Sequence, residues 1–179
     1  IDDDFSATPV VGLTGGITAT VFINDSLNGA PFLPASVGAS ITADGGLAGV
    51  SLNSSGTINV PAATPAGSYT VTYQICEVLN PANCNTGDVI VAVSAAAIVA
   101  NDDNFLAFPI GSVTGGTTAT VYGNDTLNGA AFLPAAVAGS ITADGGLTGV
   151  TINASGTLTI PAGTAVNTYT VTYSICEVL

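Results

Sequence analysis

The chain has 179 residues, twelve of them Asp or Glu, with no Lys, Arg or His and a formal net charge of −12. Without a cationic side chain it cannot neutralise phosphate, which excludes nucleic acid as a partner, and it lacks polybasic attraction to anionic lipid. Without His it lacks the commonest general base and the commonest zinc ligand, while a hydrophobic share of 47% argues against a disordered acidic tail.

Taken in chain order, short strand-like runs lie near 7–13, 17–23, 37–43, 48–52, 56–60, 69–75 and 89–93. Ile17, Ala19, Val21 and Ile23 alternate with Thr18, Thr20 and Phe22. Tyr69, Val71, Tyr73 and Ile75 alternate with Thr70, Thr72 and Gln74, and Val89, Val91 and Val93 alternate with Ile90 and Ala92. This period of two marks half-buried strands. Asn28-Gly29, Asp44-Gly45-Gly46, Ser55-Gly56 and Pro65-Ala66-Gly67 supply the turns between them. No stretch has a convincing helical period. No apolar run of about 18 residues is present, so membrane insertion through a helix is not expected. No basic segment followed by an apolar core opens the chain, so no signal peptide is visible.

The series then restarts. Ile41 to Leu47 returns unchanged at 141–147, Tyr69 to Tyr73 at 169–173, and Ile75 to Leu79 at 175–179. The offset is 100 throughout, and 50 of the 79 positions in 1–79 are identical to their counterparts in 101–179. Residues 80–100 have no counterpart. About seven short strands in each 100-residue unit suggest an all-β fold of tandem immunoglobulin-like sandwiches. The units are expected at 1–99 and 100–179, the second truncated and lacking its last strand. Either further residues of a longer array supply that strand or another subunit donates it, of which we favour the first. Tyr69, after a Pro/Gly corner, has the place of a tyrosine corner.

Antiparallel succession would put the N-terminal lead-in, the loop after the second strand and the loop between the sixth and seventh strands at one pole. Asp2, Asp3 and Asp4 lie in the lead-in, Asn24 and Asp25 end the second strand, and Glu77 ends the sixth. The equivalent set is Asn101, Asp102, Asp103, Asn104, Asn124, Asp125 and Glu177, expected at the junction of the repeats. Clustered carboxylates without cations repel, and a calcium ion, which takes six to eight oxygen ligands, would relieve them. Asp and Asn also simply favour turns and caps. That plainer explanation is preferred for Asp44 and Asp144 in Asp-Gly-Gly turns and for Asp88 at a strand start. No EF-hand or glycine-rich nonapeptide motif is present.

The Asp-Asp lead-in, the Asn-Asp after the second strand and the Tyr-Thr-Val-Thr-Tyr run resemble bacterial cadherin-like or Ig-like tandem repeats. Tyr-Gln-Ile-Cys-Glu followed by Asn-Pro-Ala-Asn-Cys resembles repeats of giant surface adhesins in gliding and related Bacteroidetes. The resemblance spans essentially the whole chain. It implies an extracellular, cell-surface, calcium-stiffened rod or filament, whose partners are neighbouring repeats of the same chain or other copies in a filament. Asn101 and Asn104 stand where the first unit has Ile1 and Asp4, so the two sites are expected to differ in affinity.

Cys76 and Cys84 flank the loop between the sixth and seventh strands, where adjacent antiparallel strand ends suit a disulfide in an exported protein. Two free thiols are the alternative. Cys176 lacks a partner within the chain. Asn24, Asn53, Asn124 and Asn153 begin N-x-Ser/Thr sequons, a weak signal. Asp25-Ser26-Leu27 and Asp125-Thr126-Leu127 look like the Asp-Ser/Thr-aliphatic O-glycosylation motif of Bacteroidetes, with Ser26 and Thr126 the candidate acceptors beside an unmodified turn.

A glycosidase-like carboxylate pair would have no Lys, Arg or His to tune it or to orient a substrate, and a Ser nucleophile would have no base. The chain is therefore not expected to be an enzyme. A carbohydrate-binding module is the rival reading, because Phe5/Phe105, Phe22/Tyr122 and Phe32/Phe132 recur, although core or strand-face positions are the preferred explanation for them. The reading adopted is a structural repeat segment of a surface adhesin or filament.

Overall fold

The computed structural model describes residues 1–179. The chain falls into two compact units, Ile1–Ala95 and Ala96–Val178. Unit 1 contains β1 (Asp3–Asp4), β2 (Val10–Val11), β3 (Gly16–Thr20), β4 (Val37–Ala43), β5 (Ser51–Leu52), β6 (Thr57–Val60), β7 (Gly67–Glu77) and β8 (Cys84–Ser94). One sheet runs β1-β8-β7-β4, with β2 also on β8, and the other runs β3-β6-β5.

Alternation along β6, β7 and β8 explains the core between them. Ile58 and Val60 come from one sheet, and Val71, Tyr73, Val89 and Val91 from the other, each at most 1% exposed. Val21 and Leu47 complete this layer. Two sheets closing on one apolar layer make an all-β sandwich, the fold class expected from the strand pattern.

Three local features depart from the pattern. The second predicted strand stops at Thr20, whose hydroxyl accepts the Phe22 N–H at 3.2 Å and caps a 3-10 turn over Val21–Ile23. β3 also buries Thr18 and exposes Ile17, because the Thr18 hydroxyl accepts the Ile58 N–H of β6 at 3.1 Å. The first predicted strand, near 7–13, shortens to β2, the lead-in before it forms β1, and both pair in parallel with β8 through Asp3↔Val89 and Val10↔Val93. Tyr69 forms the expected corner: its hydroxyl donates to the Pro65 carbonyl at 2.7 Å, and Tyr169 repeats this on Ala165 at 2.8 Å.

Unit 2 contains β9 (Ile98–Val99), β10 (Gly116–Thr120), β11 (Thr126–Leu127), β12 (Val137–Ala143), β13 (Thr151–Ile152), β14 (Thr157–Ile160) and β15 (Thr172–Glu177). The sheet β10-β14-β13 repeats β3-β6-β5, and β12 pairs with β15 as β4 does with β7, register for register from Val137↔Glu177. β9 pairs with β11. β15 has no other partner, and it has six residues where β7 has eleven. Residues 103–104 and 110–111, the counterparts of β1 and β2, form no strand. Val171 and Tyr173 are only half-buried, whereas Val71 and Tyr73 are sealed.

Unit 2 also carries a compensated exchange. Phe22 and Ala39 of unit 1 become Tyr122 and Gly139. A Cβ on Gly139 would land on the Tyr122 hydroxyl oxygen, which is buried and has no hydrogen-bond partner. The hydroxyl thus occupies the space that the methyl of Ala39 would need. Gly139→Ala should destabilise unit 2 by about 1–3 kcal/mol through overpacking, and adding Tyr122→Phe should recover most of it. Urea melts of the full chain and its three variants check this; strictly additive effects would contradict it.

Candidate functional site

The residues predicted to share one pole are distributed by strand register. Asp3 pairs with Val89, and Val89 pairs with Val71. Glu77 lies six positions further along β7, which places it roughly 20 Å from that level at about 3.4 Å per residue. The β7–β8 hairpin is longer than the sequence suggested and carries its tip beyond the lead-in.

What gathers around the lead-in is a hydroxyl. Tyr73, on the inward face of β7, is 1% exposed. Its Oη lies 3.1 Å from the Ile1 carbonyl, 3.1 Å from Asp3 Oδ2 and 2.9 Å from Asp25 Oδ2. The nitrogen of Ile1 donates to Asp25 Oδ1 at 2.6 Å, and Asn24 Nδ2 donates to the Asp2 carbonyl at 3.1 Å. Gly87 on β8 makes room, since a Cβ there would sit 3.0 Å from the phenol oxygen and ring of Tyr73. One side chain of the sixth predicted strand thereby fastens the lead-in to the turn after β3.

Unit 2 builds the same lock. Tyr173 Oη lies 3.3 Å from Asp103 Oδ2, 3.0 Å from Asp125 Oδ2 and 3.2 Å from the Asn101 carbonyl. The Asn101 backbone N–H donates to Asp125 Oδ1 at 2.7 Å, and Asn124 Nδ2 donates to the Asp102 carbonyl at 3.0 Å. Asn101 Nδ2 adds a bond to the Asn124 carbonyl at 2.7 Å.

The remaining candidates are engaged elsewhere. Asp2 Oδ1 accepts the Asp88 N–H, Asp4 Oδ1 accepts the Ser6 N–H, and Asn104 Oδ1 accepts the Leu106 N–H. Glu77 Oε2 accepts the Asn83 side-chain amide at 3.0 Å, and Glu177 Oε2 accepts the Ala96 N–H at 3.0 Å. No three acidic side chains come within reach of one ion. The two carboxylates at each lock already hold a phenol and a backbone nitrogen. This donor set does not fit a calcium ion with six to eight oxygen ligands.

Cys76 and Cys84 form a disulfide, joining opposed residues of β7 and β8, and Cys176 is free and exposed. Ser26 is exposed; Thr126 sits in β11 and is half-buried. The recurrent aromatics pack on each other, Phe22 on Phe32 with centroids 5.3 Å apart and Tyr122 on Phe132 at 5.7 Å. Phe5 and Phe22 also pack against the core.

Burial raises the Asp3 carboxyl above its usual range; the Tyr73 hydrogen bond opposes this and the Asp25 charge reinforces it. Asp103 is raised in the same way, by burial first, against the Tyr173 bond and with Asp125. Burial, then the bond to Asp25 and its charge, raise the Tyr73 phenol, and Tyr173 repeats this with Asp125. Sequence reading found the carboxylates and missed the tyrosine. The signal was present: a hydroxyl at an inward strand position needs a partner, and Tyr73 recurs as Tyr173.

No protein-family model and no curated protein matches the chain. Among solved structures it is similar to Drosophila N-cadherin EC1-3, with a TM-score of 0.49 and 12% identity over 98% of this chain and 57% of that one. A second is protocadherin gamma B7 extracellular cadherin domains 1-4, with a TM-score of 0.29 and 13% identity over 80% and 40%. The chain thus spans about half the length of these structures.

Tyr73→Phe leaves two buried carboxylates without their shared donor. It should cost unit 1 about 1.5–3 kcal/mol, the range for hydrogen bonds to charged groups. The pH dependence has two signs. A raised phenol pKa stabilises below the ordinary value of about 10 and is lost as pH rises beyond it, so Tyr73→Phe should flatten the alkaline loss. A raised carboxyl pKa penalises folding while ionised, so the penalty from Asp3 should fade as pH drops from neutral toward about 4, and Asp3→Asn should flatten that slope. Chemical denaturation between pH 4 and 11 reads both; parallel wild-type and variant profiles would contradict the lock.

Proposed function

We propose that the chain is a structural repeat segment of an extracellular adhesin or filament and that its work is mechanical. The observation that supports this reading most is the lock built twice, 100 residues apart, from the same residues. In each unit it ties the incoming segment to β7 or β15, where load on the lead-in would act on the hydrogen bonds of the tyrosine hydroxyl and the carboxylates. The acids at the lock are used to hold backbone and phenol rather than to serve a substrate, which favours a non-enzymatic role. No helix is long and apolar enough to cross a membrane. The absence of Lys and Arg leaves trypsin no site, a property suited to an exposed surface location.

The carbohydrate-binding alternative needs exposed aromatic platforms, whereas Phe22 packs on Phe32, Tyr122 on Phe132, and Phe5 and Phe22 against the core. Calcium stiffening is the finer part of the expectation, and the lock supplies fastening without an ion.

Single-molecule pulling of the full chain should give a distinct force peak for unit 1, lowered by Tyr73→Phe. Unfolding with no resolvable force would count against a mechanical role. Glycan-array binding by the full chain is expected to be absent; specific binding would favour the alternative. Chelator is expected to leave the melting of unit 1 unchanged. A calcium-dependent rise of several degrees, the size a bound ion at a hundredfold excess over Kd produces through about 2.7 kcal/mol, would mean that the scattered acids do assemble around an ion.

A further inference from the structure

We propose that Asn28 and Asn128 are sites of spontaneous deamidation, at which the side-chain amide closes on the following glycine nitrogen and gives way to a carboxylate. Of the asparagines in the chain, these two alone precede glycine. Both are exposed. Other exposed asparagines have their side chains engaged. Asn24 and Asn124 Nδ2 donate to the Asp2 and Asp102 carbonyls. Asn53 Oδ1 accepts the Ser55 and Thr57 N–H groups, and Asn153 Oδ1 accepts those of Ser155 and Thr157. The Asn28 and Asn128 amides are held by no such bond and lie in solvent.

Each Asn-Gly pair forms the two central residues of a tight turn. Leu27 and Ala30 exchange N–H···O bonds of 2.9 and 3.2 Å, and Leu127 and Ala130 do the same. Both central residues take a left-handed φ, 54° at Asn28 and 78° at Gly29, 52° at Asn128 and 75° at Gly129. Two positive φ values in succession are what selects Asn-Gly for such a turn. Closing the turn uses the N–H groups of the flanking Leu and Ala and leaves that of the glycine unbonded. A Cβ built on Gly29 or Gly129 would meet no atom within 4 Å. The glycine peptide therefore has room to swing, and no side chain shields its nitrogen from the neighbouring Cγ.

In the first step the glycine nitrogen bonds to Cγ of the asparagine, the Cγ–Nδ2 bond breaks, and ammonia leaves with the proton the nitrogen gave up. A five-membered succinimide remains. Water then adds to one of its two carbonyls and breaks that carbon's bond to the ring nitrogen. Addition at Cγ gives aspartate, and addition at the main-chain carbonyl gives isoaspartate, in which the chain runs through Cβ. One ammonia is lost and one water consumed, with no change of oxidation state. Aspartate tolerates the left-handed region, so that product keeps the turn. Isoaspartate inserts a methylene into the main chain of a two-residue turn that its flanking hydrogen bonds no longer fit. In unit 2 this turn leads out of β11, which pairs with β9, and the Asn128 N–H donates to the Ala97 carbonyl at 2.7 Å. Isoaspartate at 128 thereby loosens the β9–β11 pairing.

The test ages the full chain in mildly alkaline buffer, folded and in urea, and follows both samples by chymotryptic peptide mapping with isoaspartate detection. In the folded chain Asn28 and Asn128 should convert at least about tenfold faster than Asn53 and Asn153, a barrier difference of about 1.4 kcal/mol. Amide exchange at Leu127, Asn128 and Ala130 should quicken in the aged chain and stay slow in a fresh Asn128→Asp variant, which carries the charge without the extra methylene. Intact Asn28 and Asn128 in the folded sample, at a time when the urea sample has converted there, would show that the turn protects them and would overturn the proposal. So would another asparagine converting first. Exchange equally fast in Asn128→Asp, or unchanged in the aged chain, would overturn the effect on β11.

Discussion

The pairing of β7 with β8 is the interaction on which unit 1 depends. Ten consecutive residue pairs place Val89, Val91 and Val93 against the core and leave the far edge of β8 for β1 and β2. Each of those buried valines contributes roughly 1.5–3 kcal/mol, a large share of a small domain's net stability. Unit 2 matches unit 1 at 50 of 79 positions and forms its other sheet in the same register. In unit 2, where β15 pairs with β12, residues 103–104 and 110–111 form no strand and Tyr173 is half-buried.

Charge is the second constraint. A chain with twelve acids and no cationic side chain must hold buried carboxylates with hydroxyl and main-chain nitrogen donors. Tyr73 and Tyr173 do this with one hydroxyl each, and the nitrogen of Ile1 or Asn101 adds a bond to the other oxygen of Asp25 or Asp125. The outcome is a fastening whose strength varies with pH through the phenol and the buried carboxyl rather than through an ion pair between side chains. The same arrangement keeps those oxygens from forming a wider coordination shell.

The fold was largely legible because its signals are local and repeated. Alternation at 69–75 and 89–93 located β7 and β8, and Tyr69 after a Pro/Gly corner marked its own hydrogen bond. Cys76 and Cys84 were legible for a related reason, since a short loop between adjacent strands leaves them opposed. The site was only half legible. Asp3 and Asp25 do converge, but Glu77 does not, because the period of two fixes which face a residue takes and not how far a hairpin extends past its neighbours. The Thr20 cap that turns Val21–Ile23 into a 3-10 segment was hidden in an alternating pattern that reads equally well as strand. Thr18 illustrates the same limit: its buried hydroxyl satisfies a backbone N–H on β6, which outweighs the pull of Ile17 toward the core.

Amide hydrogen exchange on the full chain, resolved by residue, tests most directly the claim that pairing with β8 is what seals β7. The account predicts strong protection from Thr72 to Cys76, where both edges of β7 are paired, and faster exchange from Thr172 to Cys176, where β15 pairs with β12 alone. Protection of equal depth in the two segments would contradict it.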